Sequence, residues 1–214
     1  MALSTVITRP RLKPTGPIVH AELSRRLTKT LKIAVDLDGV LAETMEAWCK
    51  RANDLLGTKL ELEDLDTWAS WTKFGMNRDQ FFQLLDETWN DWETIPPTEP
   101  NLARKVAKLQ PLGSLDVVTG RSRQTMDSAK NWLKHHQIPY DHFVRVPGMR
   151  DKVYLGYDVY IDDAPELMPL ISRTVGKRGI LYARPWNRNV PELPRVVKIK
   201  SWSQIPRAIQ GIAE

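Results

Sequence analysis

The sequence predicts an α/β protein: a Rossmann-like parallel sheet with a small helical cap inserted after its first strand. Three observations carry this. From about residue 101 onward, short apolar, partly β-branched runs alternate with stretches of helical spacing, and strands alternating with helices imply crossovers and parallel pairing. The interval from Val35 to Leu115 far exceeds the roughly thirty residues of a whole strand–helix–strand unit, so it holds an insertion. The chain of 214 residues is 42% apolar, enough for one domain core with such an insertion.

Taken in order, residues 1–30 carry Pro10, Pro14, Gly16 and Pro17 and then VHAELSRRLTKT, and read as a basic arm. Leu31–Val35 is a short buried strand. Leu41, Met45, Trp48, Cys49, Ala52, Leu55 and Leu56 recur at helical spacing, and Gly57 ends that helix. ELEDLDTWASWTKFG reads as loop with a short helix. Asn77 is placed to cap a helix with Phe81, Leu85, Trp89 and Trp92 on one face. IPPTEP is a break. Then come a helix at 101–110, a strand at Leu115–Thr119, a helix at 122–137, and strands at His142–Val146 and Tyr157–Asp162. A helix at Ala164–Ser172, strands at Gly179–Tyr182 and Val196–Ile199, and a helix at 202–212 complete the chain. The expected division is an arm over 1–30, a core over 31–41 and 98–214, and a helical cap over 42–97.

Charge is unevenly spread. Net charge is +5 overall, but +6 over residues 1–32, −8 over 42–100 and +9 over 101–214. A basic body beneath an acidic middle segment lacks the continuous positive track that long nucleic acids need, and suits a small anionic substrate. The single cysteine, Cys49, excludes an intrachain disulfide and fits a reducing compartment. It reads as a buried apolar residue. His135 and His136 are adjacent, read as surface residues, and no Cys/His cluster has zinc spacing. No apolar run approaches the ~18–20 residues of a membrane span. The expected location is cytoplasmic. The Arg-, Ser- and Thr-rich arm keeps a mitochondrial transit peptide open as an alternative.

The chemistry lies at strand ends, where open parallel sheets bind ligands. The first strand ends in DLDG: Asp36 and Asp38 can converge on a cation or divide the roles of nucleophile and acid/base. DVVTGR offers the Thr119 hydroxyl and the backbone N–H groups around Gly120 to phosphate oxygens. Lys152, in GMRDK, can neutralise phosphate together with Asp36. YIDDAPE supplies Asp162 and Asp163, adjacent carboxylates suited to Mg²⁺. Trp68, Trp71, Phe74, Phe81, Phe82, Trp89 and Trp92 are either the core of a small cap or stacking partners for a base. RPWNR at 184–188 is either a packed turn or part of the site.

The order DLDGV, VVTGR, Lys, IDD resembles the four motifs of the haloacid dehalogenase superfamily of phosphohydrolases, over about residues 31–200. The IPP break, NWLKHHQIPYDHF, VYIDDAPE and RPWN resemble its 5′(3′)-deoxyribonucleotidase-like (5′-nucleotidase, cytosolic type C-like) branch. The Gly120-Arg121 pair after Thr119 departs from that branch, and Arg150 competes with Lys152 for the third motif. The resemblance implies the following. Asp36 is the nucleophile, forming an aspartyl phosphate, and Asp38 is the acid/base. Thr119, Gly120 and Lys152 hold phosphate. Asp36, Asp38 (through its backbone carbonyl), Asp162 and Asp163 form a Mg²⁺ site, with the direct ligand of the last pair left open. The expected substrate is a small phosphorylated molecule such as a nucleoside monophosphate. Another phosphorylated metabolite, or a nucleic-acid-associated protein docking through the arm, is the alternative.

Overall fold

Six strands among the described residues form one parallel sheet, and the first of them lies at its centre. The structure is a computed structural model that describes residues 30–211; the arm expected over 1–30 lies outside these but for Thr30. Strands β1 (Leu31–Val35), β2 (Gly113–Thr119), β3 (His142–Arg145), β4 (Val159–Asp162), β5 (Arg178–Tyr182) and β6 (Val196–Ile199) are ordered 3-2-1-4-5-6. In β1, Ile33, Ala34 and Val35 are buried, as a strand with neighbours on both sides and layers on both faces requires. The order reverses at β1, between β2 and β4. A crevice therefore opens at the carboxyl end of β1.

Helices α1 (Thr44–Leu56) and α2 (Arg78–Thr88) lie within the insertion; α3 (Leu102–Ala107), α4 (Met126–His135), α5 (Leu167–Arg173) and α6 (Ile205–Gly211) follow it. One apolar cluster joins Ile33, Val35, Val117 and Ile161 to Val106, Trp132, Leu133, Trp202 and Ile209. Another joins Ala34, Val118 and Tyr160 to Leu167, Met168 and Ile171. The sheet thus carries apolar layers on both faces. No helix among the described residues is long and apolar enough to cross a membrane.

The insertion leaves the sheet at Ala42 and returns at Pro97, and these residues form an antiparallel bridge. Glu43 N donates to Pro96 O at 2.8 Å and Thr98 N to Leu41 O at 2.9 Å. Between them, Trp48, Cys49, Ala52, Leu65, Phe81 and Leu84 form a separate apolar cluster. Gly57 ends α1 in the left-handed region (φ +64°) with its N–H on Asn53 O. Asn77 and Gln80 exchange side-chain and backbone bonds of 2.9 Å as a capping box for α2.

The face expected to run through Phe81, Leu85, Trp89 and Trp92 is interrupted. Helix α2 stops at Thr88, whose hydroxyl bonds back to Leu84 O at 2.8 Å. Asp91 is non-helical (φ −103°, ψ 45°) inside the 3₁₀ segment Trp89–Thr94. Trp92, beyond that kink, therefore leaves the helix axis, whereas Trp89 caps α2 in the helical region and is buried in the core. Elsewhere the elements match the expectation with shifted ends: β2 and β5 begin one or two residues earlier than expected, and others are shorter. The strand expected from Tyr157 starts at Val159, where its pairing with Ile33 of β1 begins. The helix expected from Ala164 starts at Leu167. Cys49 is buried as expected, whereas His136 is half-buried against Trp132, with ring centroids 4.4 Å apart.

Candidate active site

The carboxyl ends of β1 and β4 bring three carboxylates and one ammonium together. Lys152 Nζ lies 2.8 Å from Asp36 Oδ1 and 2.7 Å from Asp162 Oδ2, and its side chain is 2% exposed. Ligand atoms of Asp36, Asp162 and Asp163 all fall within 4.8 Å of one another. Each carboxylate has a different set of donors. Asp36 Oδ1 also accepts from Leu37 N at 2.8 Å, and among the described residues no donor engages its Oδ2. Asp162 is fully used, with Lys152 on Oδ2 and Ala164 N on Oδ1 at 2.9 Å. Asp163 is 4% exposed, and among the described residues no donor engages its carboxylate.

These positions fix the electrostatics. Burial pushes Asp36 up to about 7, even though Lys152 pulls it down, because Asp162 and Asp38 add to the rise. Burial, Asp36 and Asp162 hold Asp163 well above the usual carboxylate range. Burial alone would lower Lys152, but the two carboxylates on it more than offset that and raise it. Three carboxylates against one ammonium thus favour taking up protons, and the same cluster of oxygens is the chemistry that suits a hard divalent cation. The donor set is oxygen only, which suits Mg²⁺ over zinc.

Gly39 is part of the same construction. It sits at φ +74°, and a Cβ there would come 2.0 Å from Asp163 Oδ2 and 3.2 Å from Trp186 Cζ2. The DxDG turn thus lets the Asp163 carboxylate lie directly against the backbone of the turn that follows β1. Trp186 comes from the RPWN segment, whose Arg184 donates to Gly39 O at 2.5 Å and to Glu43 Oε2 at 2.7 Å. That segment is both a packed turn and a wall of the site.

Asp38 is turned away from the carboxylate cluster. Among the described residues, three donors meet its Oδ1: Thr44 Oγ1 at 2.6 Å, Arg121 Nη1 at 2.7 Å and Trp89 Nε1 at 3.0 Å. Its carboxylate is not among the three whose ligand atoms lie within 4.8 Å of one another. Thr119 is 1% exposed, and its Oγ1 accepts from Arg121 N at 3.2 Å, which frees the hydroxyl proton for donation outward.

A cavity of about 460 Å³ opens over this edge. Asp36, Asp38, Thr119, Gly120, Lys152 and Asp163 line its floor, and Trp68, Trp71, Arg78, Phe81 and Phe82 line it from the insertion. Asp162 lies beneath, behind Lys152. Phe74 instead packs on Trp48, with centroids 6.0 Å apart, and Trp92 packs on His135 at 5.8 Å. Arg150 is paired with Glu166 at 2.6 Å on the surface, so of the two cations in GMRDK the buried one is Lys152. Gly120 lines the cavity, but a Cβ there would meet nothing closer than 3.5 Å, so its place at the site is not a steric demand.

Sequence reasoning passed over Arg121 and Trp89 as partners of Asp38. The only sequence signal was that a large cation follows Thr119-Gly120 at a strand end. Nothing in the spacing shows that Trp89 reaches fifty-one residues back to Asp38.

Comparison with curated proteins gives no significant match. Among solved structures, the chain is similar to a haloacid dehalogenase-like family hydrolase from Streptococcus pneumoniae (15% identity, TM-score 0.60, covering 85% of this chain and 99% of that one). It is similar to a haloacid dehalogenase-like hydrolase from Xanthomonas campestris (11%, TM-score 0.56, 86% and 97%). It is also similar to CbbY from Rhodobacter sphaeroides in complex with xylulose-(1,5)bisphosphate (17%, TM-score 0.54, 81% and 96%). At these identities the likeness shows the fold. Residues 29–212 match the family described as 5′ nucleotidase, deoxy (Pyrimidine), cytosolic type C protein, and with that match over most of its length the chain belongs to this family of phosphatases.

Proposed function

We propose that this phosphatase hydrolyses a nucleoside monophosphate through an aspartyl phosphate on Asp36, with Mg²⁺ as cofactor. The observation that carries the reading is the state of Asp36: one oxygen is held by Lys152 and Leu37 N, while among the described residues no donor meets the other, on a side chain that lines the cavity. The Asp36 oxygen forms a bond to phosphorus as the ester P–O bond breaks, and Asp38 gives its proton to the leaving oxygen. Asp38, now a carboxylate, takes a proton from a water, which attacks phosphorus and releases Asp36. Thr119 and Lys152 hold the phosphoryl oxygens in both steps.

Asp36, Asp163 and the Asp38 carbonyl are the groups to hold Mg²⁺, since Asp162 is committed to Lys152 and Ala164 N. When bound, the cation neutralises charge on the carboxylates and the phosphoryl group. The aromatic wall of Trp68, Trp71, Phe81 and Phe82 offers a base a stacking surface, and family membership favours a nucleotide. The insertion walls the cavity and is suited to act as a cap that excludes water. A second reading, a metabolite with another anionic group, is favoured by Arg78 and Arg145 in the cavity wall; the CbbY neighbour holds a bisphosphate. The test is a phosphomonoester panel with Mg²⁺ and with EDTA, joined to acid-quench trapping of phosphorylated Asp36. Turnover that survives exhaustive chelation, or an Asp36→Asn variant with near-normal turnover, overturns the mechanism. Preference for sugar phosphates over nucleotides selects the second substrate.

A further inference from the structure

We propose that Arg121 is a positioning residue for Asp38: it pins one oxygen of the acid/base carboxylate and ties that carboxylate to the helix walling the cavity. The proposal rests on the role given to Asp38 above and goes beyond it. The Arg121 side chain is 3% exposed, and its nitrogens are spread over three elements. Nε donates to Thr125 Oγ1 at 3.0 Å, beside its own strand end. Nη1 donates to Asp38 Oδ1 at 2.7 Å. Nη2 reaches Asp86 Oδ1 at 3.2 Å and Leu85 O at 3.4 Å, both on α2. The guanidinium carbon lies 4.7 Å from the centre of the Trp89 ring, and Trp89 Nε1 donates to the same Asp38 oxygen.

The geometry has a chemical consequence. A carboxylate oxygen has about two lone-pair directions, and Oδ1 already meets three donors. Oδ2 is then the oxygen with capacity left, on a side chain that is 25% exposed and lines the cavity. Rotation of the carboxylate would break three bonds at once, so Oδ2 is the oxygen that serves the leaving group and the water. A planar fork is needed for this, because one guanidinium must meet Asp38 and Asp86 together; an ammonium is a point donor and can serve one of them well. The same fork makes the orientation of Asp38 depend on the seating of α2, so the acid/base is set when the wall of the cavity is in place.

The test reads the leaving-group dependence of phosphorylation, which a merely structural cation would not alter. Single-turnover rates are measured on the Mg²⁺-loaded enzyme at saturation, for phosphomonoesters from dinitrophenyl to alkyl. Wild type, Asp38→Asn, Arg121→Met and Arg121→Lys are compared, with phosphorylated Asp36 trapped in each. Arg121→Met is expected to lose about tenfold or more on alkyl esters, within the ~10²–10⁴-fold reach of general acid catalysis, and under about threefold on the dinitrophenyl ester. Asp38→Asn shows the same trend more steeply, and Arg121→Lys falls between Arg121→Met and wild type. Equal fractional losses on every ester, or a wild-type trend, overturn the proposal. Should Arg121→Met fail to fold, Arg121→Lys carries the same two outcomes. Absence of phosphorylated Asp36 in wild type overturns the underlying mechanism as well, whereas uniform losses with trapping intact overturn the role of Arg121 alone.

Discussion

Replacing Gly39 by Ala probes the metal site through a backbone position that carries no functional side chain. The added Cβ would sit 2.0 Å from Asp163 Oδ2, and ordinary contact begins at 3.4 Å. Either the carboxylate or the turn must yield by about 1.4 Å. Metal ligands tolerate roughly ±0.2 Å, so a shift of that size removes Asp163 from any cation shared with Asp36. A non-glycine residue at φ +74° adds a left-handed backbone cost of about 1–2 kcal/mol. For a chain of this size that corresponds to a fall in Tm of roughly 2–8 °C in EDTA. The larger effect is expected with Mg²⁺. The wild type should gain thermal stability on adding the cation, and Gly39→Ala should gain less than a third as much, with kcat down about 100-fold. Calorimetric titration and melts in EDTA and in Mg²⁺ measure both. A Gly39→Ala protein with wild-type Mg²⁺ affinity and turnover would refute the assignment of Asp163 as a direct ligand.

Three other outcomes are expected. Lys152→Met leaves Asp36 and Asp162 without their shared cation, which costs about 3–5 kcal/mol for a broken buried pair; Mg²⁺ should recover part of this, as denaturant titrations with and without the cation would show. Asp36 is raised from 3.8 to about 7 in the folded protein, so the cation-free fold binds more protons than the unfolded chain between those values. The stability that this protonation contributes is present below pH 4 and lost as pH rises through 7. Mg²⁺ competes with that proton, so the Tm gain on adding Mg²⁺ should be larger at pH 8 than at pH 6, and an equal gain at both would count against the site. Trp71→Ala should raise KM for nucleotides about tenfold, in line with ~1–3 kcal/mol per stacked base, and leave KM for a methyl phosphate unchanged; equal KM changes for both would remove Trp71 from base recognition.

The parts of this fold that sequence shows best are those set by local rules. Leu31–Val35 and Val196–Ile199 match their strands residue for residue, because short β-branched runs bounded by polar residues have few alternatives. Gly57 and Asn77 mark real helix ends, since capping is chemistry within a few residues. The floor of the site was legible because strand ends in a parallel sheet converge, and the order of motifs says which ends they are. The clamp on Asp38 was not. Its donors lie at Thr44, Trp89 and Arg121, far apart in the chain, and their meeting depends on how the insertion packs over the strand ends, which no local rule specifies. The distinction between Asp162 and Asp163 was equally hidden. Adjacent residues at a strand end face opposite ways, and the position of Lys152 and the Ala164 amide decide which one is already satisfied.

The bridge between Ala42 and Pro97 makes the insertion a closed loop on a fixed base. Two backbone bonds, Glu43 N to Pro96 O and Thr98 N to Leu41 O, hold its ends beside each other, so the sheet sees the same two attachment points whatever lies between them. The entropy of closing a loop grows only with the logarithm of its length, about 0.6 kcal/mol per doubling. The segment between these points can therefore lengthen, shorten or be exchanged for another at small cost to the sheet. In evolutionary terms, Asp36, Lys152 and the carboxylates beneath can stay in register while the loop is rewritten for new substrates, and only the few insertion residues tied to Asp38, such as Thr44, Asp86 and Trp89, have to be kept or replaced in kind.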